Sequence, residues 1–218
     1  MSEQQVQRMI VIDDHPLLRK GLQQLADLSP DIEIIGETDN GAEGLTLVQE
    51  LHPDLVLLDL NMPGMNGLET LAALKEMDIE TRVVILTVSN AEEDIVSALR
   101  SGADGYLLKD MDPEQLLTKF QEVAEGHVVM SPNIAESLAR SMQSTGRNEQ
   151  QQNARELTSR EHEILLHIRD GESNKIIGRK LNIAEATVKV HVKNLLKKLS
   201  LKSRVEAAVW AVNNKDFL

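Results

Sequence analysis

Short apolar runs alternate with longer amphipathic segments along the first part of the chain. The run at residues 55–58 has no polar position, as in strands that are buried on both faces of a parallel sheet. The predicted strands are residues 9–12, 32–35, 55–58, 83–86 and 106–108. The predicted helices are residues 17–28, 42–51, 68–77, 92–100 and 113–124. Strands that alternate with helices in this way predict a doubly wound α/β domain with a parallel sheet.

A second periodic region begins near residue 157 and predicts helices only. Glu185–Leu199 carries apolar residues on one face and lysines on the other, and a shorter helix is predicted before it, with Asn182 in the turn. Two helices joined by a tight turn, the second basic on its outer face, predict a helix-turn-helix in an all-α four-helix domain. Two capping boxes are predicted at helix N-termini, Thr158 with Glu161 and Ser203 with Glu206. Ser173 is predicted to cap a third helix.

The stretch between these regions has the composition of a linker. Residues 143–155 contain no large apolar residue and cannot contribute to a core. A short helix is predicted before them, at about 133–142. The predicted organisation is a first domain over residues 1–127, a linker over 128–155 and a second domain over 156–218.

Charge is distributed unevenly between the two halves. The formal net charge is −12, yet residues 1–127 hold 25 acids and 8 bases, whereas residues 128–218 hold 10 acids and 15 bases. Residues 173–204 hold nine of those bases and one acid. An acidic half joined to a half with a basic segment indicates two domains with different partners.

Composition also excludes several classes of site. The chain has no cysteine, which rules out a disulfide, a thiolate zinc site and a cysteine nucleophile. No apolar run approaches the length of a membrane helix, and the N-terminus lacks the pattern of a secretion signal. We therefore expect a cytoplasmic protein with no membrane partner.

Polar side chains follow four of the five predicted strands. Right-handed crossovers place the carboxyl ends of those strands at one edge of the sheet, where open α/β sheets bind their ligands. Three of the side chains are carboxylates, which repel one another unless a hard cation joins them, and an all-oxygen site suits Mg²⁺. The residues predicted to converge are Asp13, Asp14, Asp59, Thr87 and Lys109.

The same set suits the transfer of a phosphoryl group to a carboxylate. Asp59 can carry that group as an aspartyl phosphate. Lys109 is expected to stabilise charge on the transferring oxygens, and the Thr87 hydroxyl to bond to the phosphoryl group. The expected holders of Mg²⁺ are Asp13, Asp14, Asp59 and the backbone carbonyl of Asn61.

Residues 7–127 resemble the receiver domain of bacterial two-component response regulators. The matching motifs are Asp13-Asp14-His15, Asp59, Met62-Pro63-Gly64-Met65-Asn66-Gly67, Thr87 and Gly102-Ala103-Asp104-Gly105-Tyr106-Leu107-Leu108-Lys109. The resemblance implies a flavodoxin-like (βα)5 fold with strand order 2-1-3-4-5. It also implies that Asp59 accepts a phosphoryl group from a sensor histidine kinase, with Mg²⁺ required. Thr87 and Tyr106 match the family's switch positions, although a tyrosine here is equally a core aromatic. His15 is not a ligand in the family and is interpreted as a turn residue.

Residues 157–212 resemble the LuxR-type output domain. The matching motifs are Leu157-Thr158, Arg160-Glu161, Asn174-Lys175, Ile177, Leu181, Ile183, Thr187-Val188-Lys189-Val190-His191 and Lys197-Lys198-Leu199. The resemblance implies base contacts from Lys189, Val190 and Lys193 on the third predicted helix of this domain, Glu185–Leu199, and DNA-backbone contacts from neighbouring basic residues. The predicted DNA-binding face is Lys189, Val190, Lys193, Asn194 and Lys197. The resemblance also implies dimerisation through the final helix, at residues 203–212. The candidates there are Val205, Val209 and Trp210, of which Trp210 is equally a core residue.

Three residues depart from the LuxR-type pattern without removing a functional group. Ser159 stands where proline is usual, Gly178 where alanine is usual, and Ala184 where a capping serine or threonine is usual. We expect Gly178 to cost about 0.5–1 kcal/mol of helix stability. Ala184 is expected to lose about 1 kcal/mol of capping.

The whole chain resembles the NarL/FixJ class of response regulators. This resemblance implies a transcription regulator without enzyme activity, apart from Mg²⁺-dependent self-phosphorylation and dephosphorylation at Asp59. The implied partners are a sensor histidine kinase, double-stranded promoter DNA and a second copy of the chain. Nitrate- or nitrite-responsive control of anaerobic respiratory genes is implied by the resemblance alone.

Two other classes of function compete with this interpretation. A phosphatase that uses an aspartyl phosphate would need a second acid two residues after its nucleophile, and position 61 is asparagine. A receiver with an output domain for protein or RNA is opposed by the basic third helix. A gel shift on duplex DNA would distinguish a DNA-binding output domain from one that binds protein or RNA.

Overall fold

The chain divides into two units, and the first is built on parallel strand pairing. The computed structural model describes residues 6–77, 81–89, 91–124, 127 and 156–214. The two units comprise Met1–Ala124 and Glu125–Leu218. The predicted linker over residues 128–155, with its short helix at about 133–142, lies outside the described residues.

The first unit is a five-stranded parallel sheet with the order β2-β1-β3-β4-β5 and a helix after each strand. The strands are β1 (Gln7–Ile12), β2 (Ile32–Thr38), β3 (Leu55–Leu58), β4 (Arg82–Thr87) and β5 (Gly105–Leu108). The helices are α1 (Pro16–Asp27), α2 (Gly41–Leu51), α3 (Gly67–Glu76), α4 (Glu92–Arg100) and α5 (Pro113–Ala124). Every residue of β3 is buried, as its unbroken apolar run predicts. The predicted fold class and strand order are confirmed.

Strand β2 continues three residues beyond its predicted end. It is an edge strand that pairs only with β1, and Glu37 is exposed, so the hydrophobic pattern stops before the backbone pairing does. The register shifts between Met9 and Ile10, which pair with Ile34 and Gly36 and leave one extra residue in β2. Such a bulge explains why the sequence here alternates only in part.

The loop between β3 and α3 passes very close to the end of β3. Gly67 donates a backbone hydrogen bond to the Leu60 carbonyl at 3.0 Å, and a Cβ atom at Gly67 would lie 2.1 Å from the Asp59 carbonyl oxygen. Asn66 and Glu69 cap α3 reciprocally, in a capping box. Glycine is therefore required at position 67, because any side chain would push α3 away from Asp59.

Four helices make up the described part of the second unit: α6 (Ser159–Arg169), α7 (Asn174–Leu181), α8 (Glu185–Leu199) and α9 (Arg204–Asn213). Helix α8 packs against α6 and α7, and α9 packs against α6. Helices α7 and α8 with their short turn form the predicted helix-turn-helix. Among the residues that the structure describes, no helix has the length and apolar character to cross a membrane.

The turn of the helix-turn-helix depends on two small or permissive residues. Asn182 ends α7 with φ of 53°, in the left-handed region, and Ile183 donates its backbone N–H to the Gly178 carbonyl at 2.9 Å. A Cβ atom at Gly178 would lie 2.8 Å from the Ile183 carbonyl oxygen. The sequence predicted only a loss of helix stability at Gly178. The structure shows that glycine at this position also lets the Ile183 carbonyl approach the α7 backbone closely.

A half-buried ion pair joins the start of α6 to the end of α8. Thr158 and Glu161 form the predicted capping box, and Lys198 Nζ lies 2.7 Å from Glu161 Oε2. Burial favours the neutral form of Glu161, but the Lys198 ammonium and the bonds from Thr158 outweigh it and lower the pKa of this carboxyl. At the start of α9, Ser203 accepts from the backbone of Glu206, whose carboxylate accepts from the Lys202 N–H at 2.6 Å.

Two glycine-to-alanine changes should have opposite effects on stability. Gly67→Ala should lower the free energy of unfolding by about 1–3 kcal/mol, because the new methyl group meets backbone atoms that cannot move aside. Gly21→Ala, inside α1 and with no atom within 4 Å of the new methyl group, should raise it by about 0.5–1 kcal/mol. Urea denaturation of both variants measures this, and a Gly67→Ala protein as stable as the wild type would contradict the assigned close approach.

Candidate acidic site and recognition helix

Two buried carboxylates share one ammonium group at the carboxyl edge of the sheet. Asp13 follows β1, Asp59 follows β3 and Lys109 follows β5. Lys109 Nζ lies 2.7 Å from Asp59 Oδ2 and 2.8 Å from Asp13 Oδ2. Both aspartates are only 1% exposed, so the charges interact with little screening by water. The long lysine side chain reaches across the intervening strand β4 to meet them.

Asp14 and His15 complete the acidic site. The Nδ1 atom of His15 lies 2.7 Å from Asp14 Oδ1, 3.3 Å from Asp13 Oδ1 and 3.9 Å from Asp59 Oδ2. One ligand atom from each of these four residues lies within 4.8 Å of the other three. The sequence predicted a turn role for His15, and its backbone N–H does bond to Asp13 Oδ1 at 2.8 Å. The structure adds that the imidazole faces the carboxylates.

The acidic site has the donors to bind a metal ion. Asp59 Oδ1 is buried and has no hydrogen-bond partner among the described residues. The three carboxylates outnumber the one ammonium, and oxygen donors of this kind suit hard divalent cations. Asn61 is exposed in the loop two residues after Asp59, and the role of its carbonyl as a ligand stays a prediction.

Thr87 and Tyr106 are linked through Ser89. Thr87 ends β4 fully buried, and its Oγ1 accepts a hydrogen bond from the Ser89 backbone at 3.3 Å. Tyr106 is 3% exposed and donates its hydroxyl to the Ser89 carbonyl at 2.9 Å, so the ring points inward. Burial, and next the charge of Asp94, raise the pKa of Tyr106 to about 12, although the bond to Ser89 opposes this.

Arg19 also supports the acidic site, and sequence reasoning did not find it. Its guanidinium Nη1 donates to the Asp13 carbonyl oxygen at 2.5 Å, and its Nε lies 3.7 Å from Glu37 Oε1. This arrangement holds the turn after β1 against the end of β2. An arginine inside an amphipathic helix carries no sequence signal for such a role.

Helix α8 presents the predicted DNA-binding face. Its buried side chains are Val188, Leu195 and Leu199. Of the predicted contact residues, Lys189 is half-buried and the others, namely Val190, Lys193, Asn194 and Lys197, are exposed. Val190, an apolar residue among lysines, is 59% exposed. No side chain caps the helix at Ala184, as the sequence predicts.

The three residues predicted to mediate dimerisation are buried within the chain. Val205 is 0% exposed, Val209 5% and Trp210 3%. These side chains are enclosed by their own chain in this conformation, and their role in dimerisation stays a prediction. The large apolar residue exposed next to them on α9 is Val212, at 48%.

Comparison with known proteins agrees with the two units. The chain matches the response regulator receiver domain family over residues 9–121 and the luxR family of bacterial regulatory proteins over residues 155–211. It is 52% identical to the nitrate/nitrite response regulator protein NarL of Escherichia coli strain K12, over the full length of both chains. It is 44% identical to the nitrate/nitrite response regulator protein NarP of the same strain, covering 93% of each chain.

A solved structure supports the fold of the first unit. The signal receiver domain of the putative response regulator NarL from Mycobacterium tuberculosis superposes with a TM-score of 0.54 at 36% identity. The match covers 56% of this chain and 98% of that one.

Receiver fold, acidic site and helix-turn-helix together define a two-domain response regulator. The chain belongs to the family of two-component response regulators with a LuxR-type DNA-binding domain. It is therefore a phosphorylation-dependent transcription regulator. The receiver domain implies a histidine kinase as partner, and the luxR-family domain implies DNA.

The environment of Tyr106 predicts a late ionisation. Tyr106 is the only tyrosine, so tyrosinate absorbance reports it alone. We expect half-ionisation near pH 12 in the folded protein and near pH 10 in urea. Because the folded state holds this proton more tightly, stability should fall as pH rises from 10 towards 12.

An Asp94→Asn variant should titrate at lower pH than the wild type, since the Asp94 charge opposes the phenolate. Asp112→Asn, which removes an exposed carboxylate elsewhere, serves as the matched control. Equal titration midpoints in the folded and unfolded wild type would contradict the assigned environment.

Proposed function

We propose that this chain works in the cytoplasm as a nitrate- or nitrite-responsive regulator whose switch is phosphorylation of Asp59 by a sensor histidine kinase. The observation that carries the proposal is the placement of Asp59. Its carboxylate is buried beside the Lys109 ammonium, with one oxygen that lacks a hydrogen bond among the described residues. The nitrate or nitrite signal is drawn from the two relatives with that description, at 52% and 44% identity.

In this proposal Asp59 is the nucleophile. A carboxylate oxygen of Asp59 attacks the phosphorus of a kinase phosphohistidine, the P–N bond breaks, and its electron pair stays on the imidazole. Lys109 balances the negative charge that gathers on the phosphoryl oxygens. The Thr87 hydroxyl donates a hydrogen bond to the acyl phosphate once it has formed.

Mg²⁺ is the metal that these donors fit. Asp13, Asp14, Asp59 and the Asn61 carbonyl would hold it, and the ion would supply positive charge to the phosphoryl oxygens. Self-phosphorylation from small donors, and dephosphorylation, belong to the same site. The support is the chemistry of the donor set, which is all oxygen apart from His15.

The bond between Thr87 and Ser89 gives phosphorylation a route to Tyr106. If the Thr87 hydroxyl turns towards a phosphoryl group, its bond from the Ser89 N–H changes, and Tyr106 is bonded to the carbonyl of that same serine. The proposed switch is a shift between two arrangements of these three residues. Phosphorylation can drive this shift only if the phosphoryl group interacts more favourably with one arrangement than with the other.

We assign DNA recognition to the exposed face of α8. Lys189, Val190 and Lys193 are proposed to contact bases, with Val190 suited to a thymine methyl group. Asn194 and Lys197 extend the same face towards the DNA backbone. Dimerisation on DNA is proposed through the exposed side of α9, around Val212, since the interior side is enclosed.

Phosphorylation should be confined to Asp59. With an acyl phosphate donor and Mg²⁺, mass spectrometry of the wild type should show one phosphoryl group, on the peptide that contains Asp59. Asp59→Asn should remain unmodified, and excess chelator should prevent the reaction. Asp27→Asn, which alters an exposed aspartate on α1, should be labelled like the wild type. A modified Asp59→Asn protein, or full labelling in chelator, would refute the assignment.

Replacement of the recognition lysines should weaken DNA binding. Lys189→Ala and Lys193→Ala should each reduce the favourable free energy of DNA binding by roughly 1–3 kcal/mol. The DNA is a promoter fragment isolated by its binding to the wild-type protein, and all affinities are measured at one salt concentration. Replacement of a lysine that contacts a base should also reduce sequence specificity, whereas replacement of one that contacts a phosphate should weaken binding to all duplexes alike.

The matched control for charge is Lys20→Ala, an exposed lysine on α1 in the first unit. It removes one positive charge and should bind promoter DNA as the wild type does. If Lys189→Ala and Lys193→Ala also bind as the wild type does, the recognition face lies elsewhere.

A further inference from the structure

The outer face of α1 carries the two most exposed large apolar side chains among the described residues. Leu17 is 84% exposed, and Leu28, at the C-cap of the helix, is 76% exposed. A single leucine in solvent is ordinary. These two, however, are about three helical turns apart, so they lie on one line along α1, on the side away from buried Leu22 and Ala26. An apolar stripe is therefore open to solvent along the whole of α1.

This α1 stripe, formed by Leu17, Gly21, Gln24 and Leu28, is symmetric about its middle. Gly21 and Gln24 lie between the leucines at equal distances from the midpoint. When two copies of such a helix lie antiparallel, Leu17 of each copy faces Leu28 of the other, and Gly21 faces Gln24. A Cβ atom added at Gly21 would have no neighbour within 4 Å, so the missing side chain leaves room for a second helix to approach closely.

Two opposite charges flank the α1 stripe in the order that the antiparallel arrangement needs. Lys20 and Asp27 are both exposed on the same side of the stripe. The antiparallel arrangement places Lys20 of each copy beside Asp27 of the other, whereas a parallel arrangement would place like charges side by side. Exposed ion pairs of this kind add little affinity, but they select one relative direction of the two helices.

The charge of the first unit also favours a contact through α1. Residues 1–127 hold 25 acids and 8 bases, so two copies repel each other over most of this surface. Of the five helices in the unit, α1 is the one in which bases outnumber acids, with Arg19 and Lys20 against Asp27. Two copies of the chain therefore meet with the least repulsion at α1.

We propose that the α1 stripe is a contact between two copies of this chain, which pair α1 against α1 in antiparallel direction about a twofold axis. The contact is separate from the one assigned to α9, and it does not rest on phosphorylation of Asp59. One helix against its twin buries less than the roughly 1,200 Å² of a stable interface, so the pairing is transient in free solution. A second contact that holds two copies together, as on DNA, would raise the local concentration of the stripe.

Disulfide cross-linking tests the arrangement directly, because the chain has no cysteine of its own. Full-length Leu17→Cys and Leu28→Cys, mixed in equal amounts and oxidised, should form a covalent dimer that contains one of each. Each variant alone should form far less. Identical positions lie about 16 Å apart along the paired helices, whereas a disulfide needs Cα atoms within about 7 Å.

The matched control for random collision is a mixture of Ala42→Cys and Gln49→Cys, two exposed positions on α2. The α1 mixture should cross-link at least about fivefold faster than this control at the same salt concentration. Urea denaturation should confirm that all four variants fold as the wild type does. A rate no higher than that of the α2 control would overturn the proposal and leave the outer face of α1 to another partner, such as the histidine kinase. Faster cross-linking of each α1 variant with itself would also overturn it, because the helices would then be parallel.

Charge reversal tests the direction of pairing independently. Lys20→Asp in both cysteine variants should slow cross-linking about fivefold, because it places two carboxylates side by side at each end of the contact. The further change Asp27→Lys restores opposite charges and should restore the rate. A doubly reversed protein that remains as slow as Lys20→Asp would show that Lys20 and Asp27 do not meet, and would overturn the antiparallel arrangement.

Discussion

The ammonium of Lys109 between Asp13 and Asp59 is the interaction on which the candidate site depends. Two carboxylates buried this deeply repel each other strongly, and each would lose its hydration without compensation. One lysine offsets part of that cost for both. The balance is incomplete, because Asp14 adds a third carboxylate, and the remaining double negative charge is what a divalent cation would neutralise. The sheet order that brings β1, β3 and β5 to one edge is thus a prerequisite of the chemistry.

The fold could be predicted from the sequence wherever burial decides the structure. The apolar runs of β1, β3, β4 and β5 lie inside the observed strands, since these positions are buried and strongly patterned. Strand ends were predicted less well, because backbone pairing continues through polar residues that leave no hydrophobic signal. Strand β2 shows this most clearly, with Glu37 and Thr38 paired beyond the last apolar residue.

The site was predictable only where topology alone brings residues together. Asp13, Asp59 and Lys109 directly follow strands, so the strand order is enough to predict that they meet. The approach of the His15 imidazole and the Arg19 guanidinium depends on rotamers and on the tilt of α1, which spacing does not encode. The requirement for glycine at position 178 likewise arises from a carbonyl five residues later, in a turn whose path the pattern does not specify.

The low number of aromatic residues in the chain has a practical consequence. Tyr106 and Trp210 are the only tyrosine and tryptophan, and they lie in different units. Both are buried, so the fluorescence or near-ultraviolet signal of each should change when its own surroundings loosen. The intact protein therefore carries one built-in optical reporter for each unit. Whether the two units melt together or separately can be observed without labels, truncation or substitution.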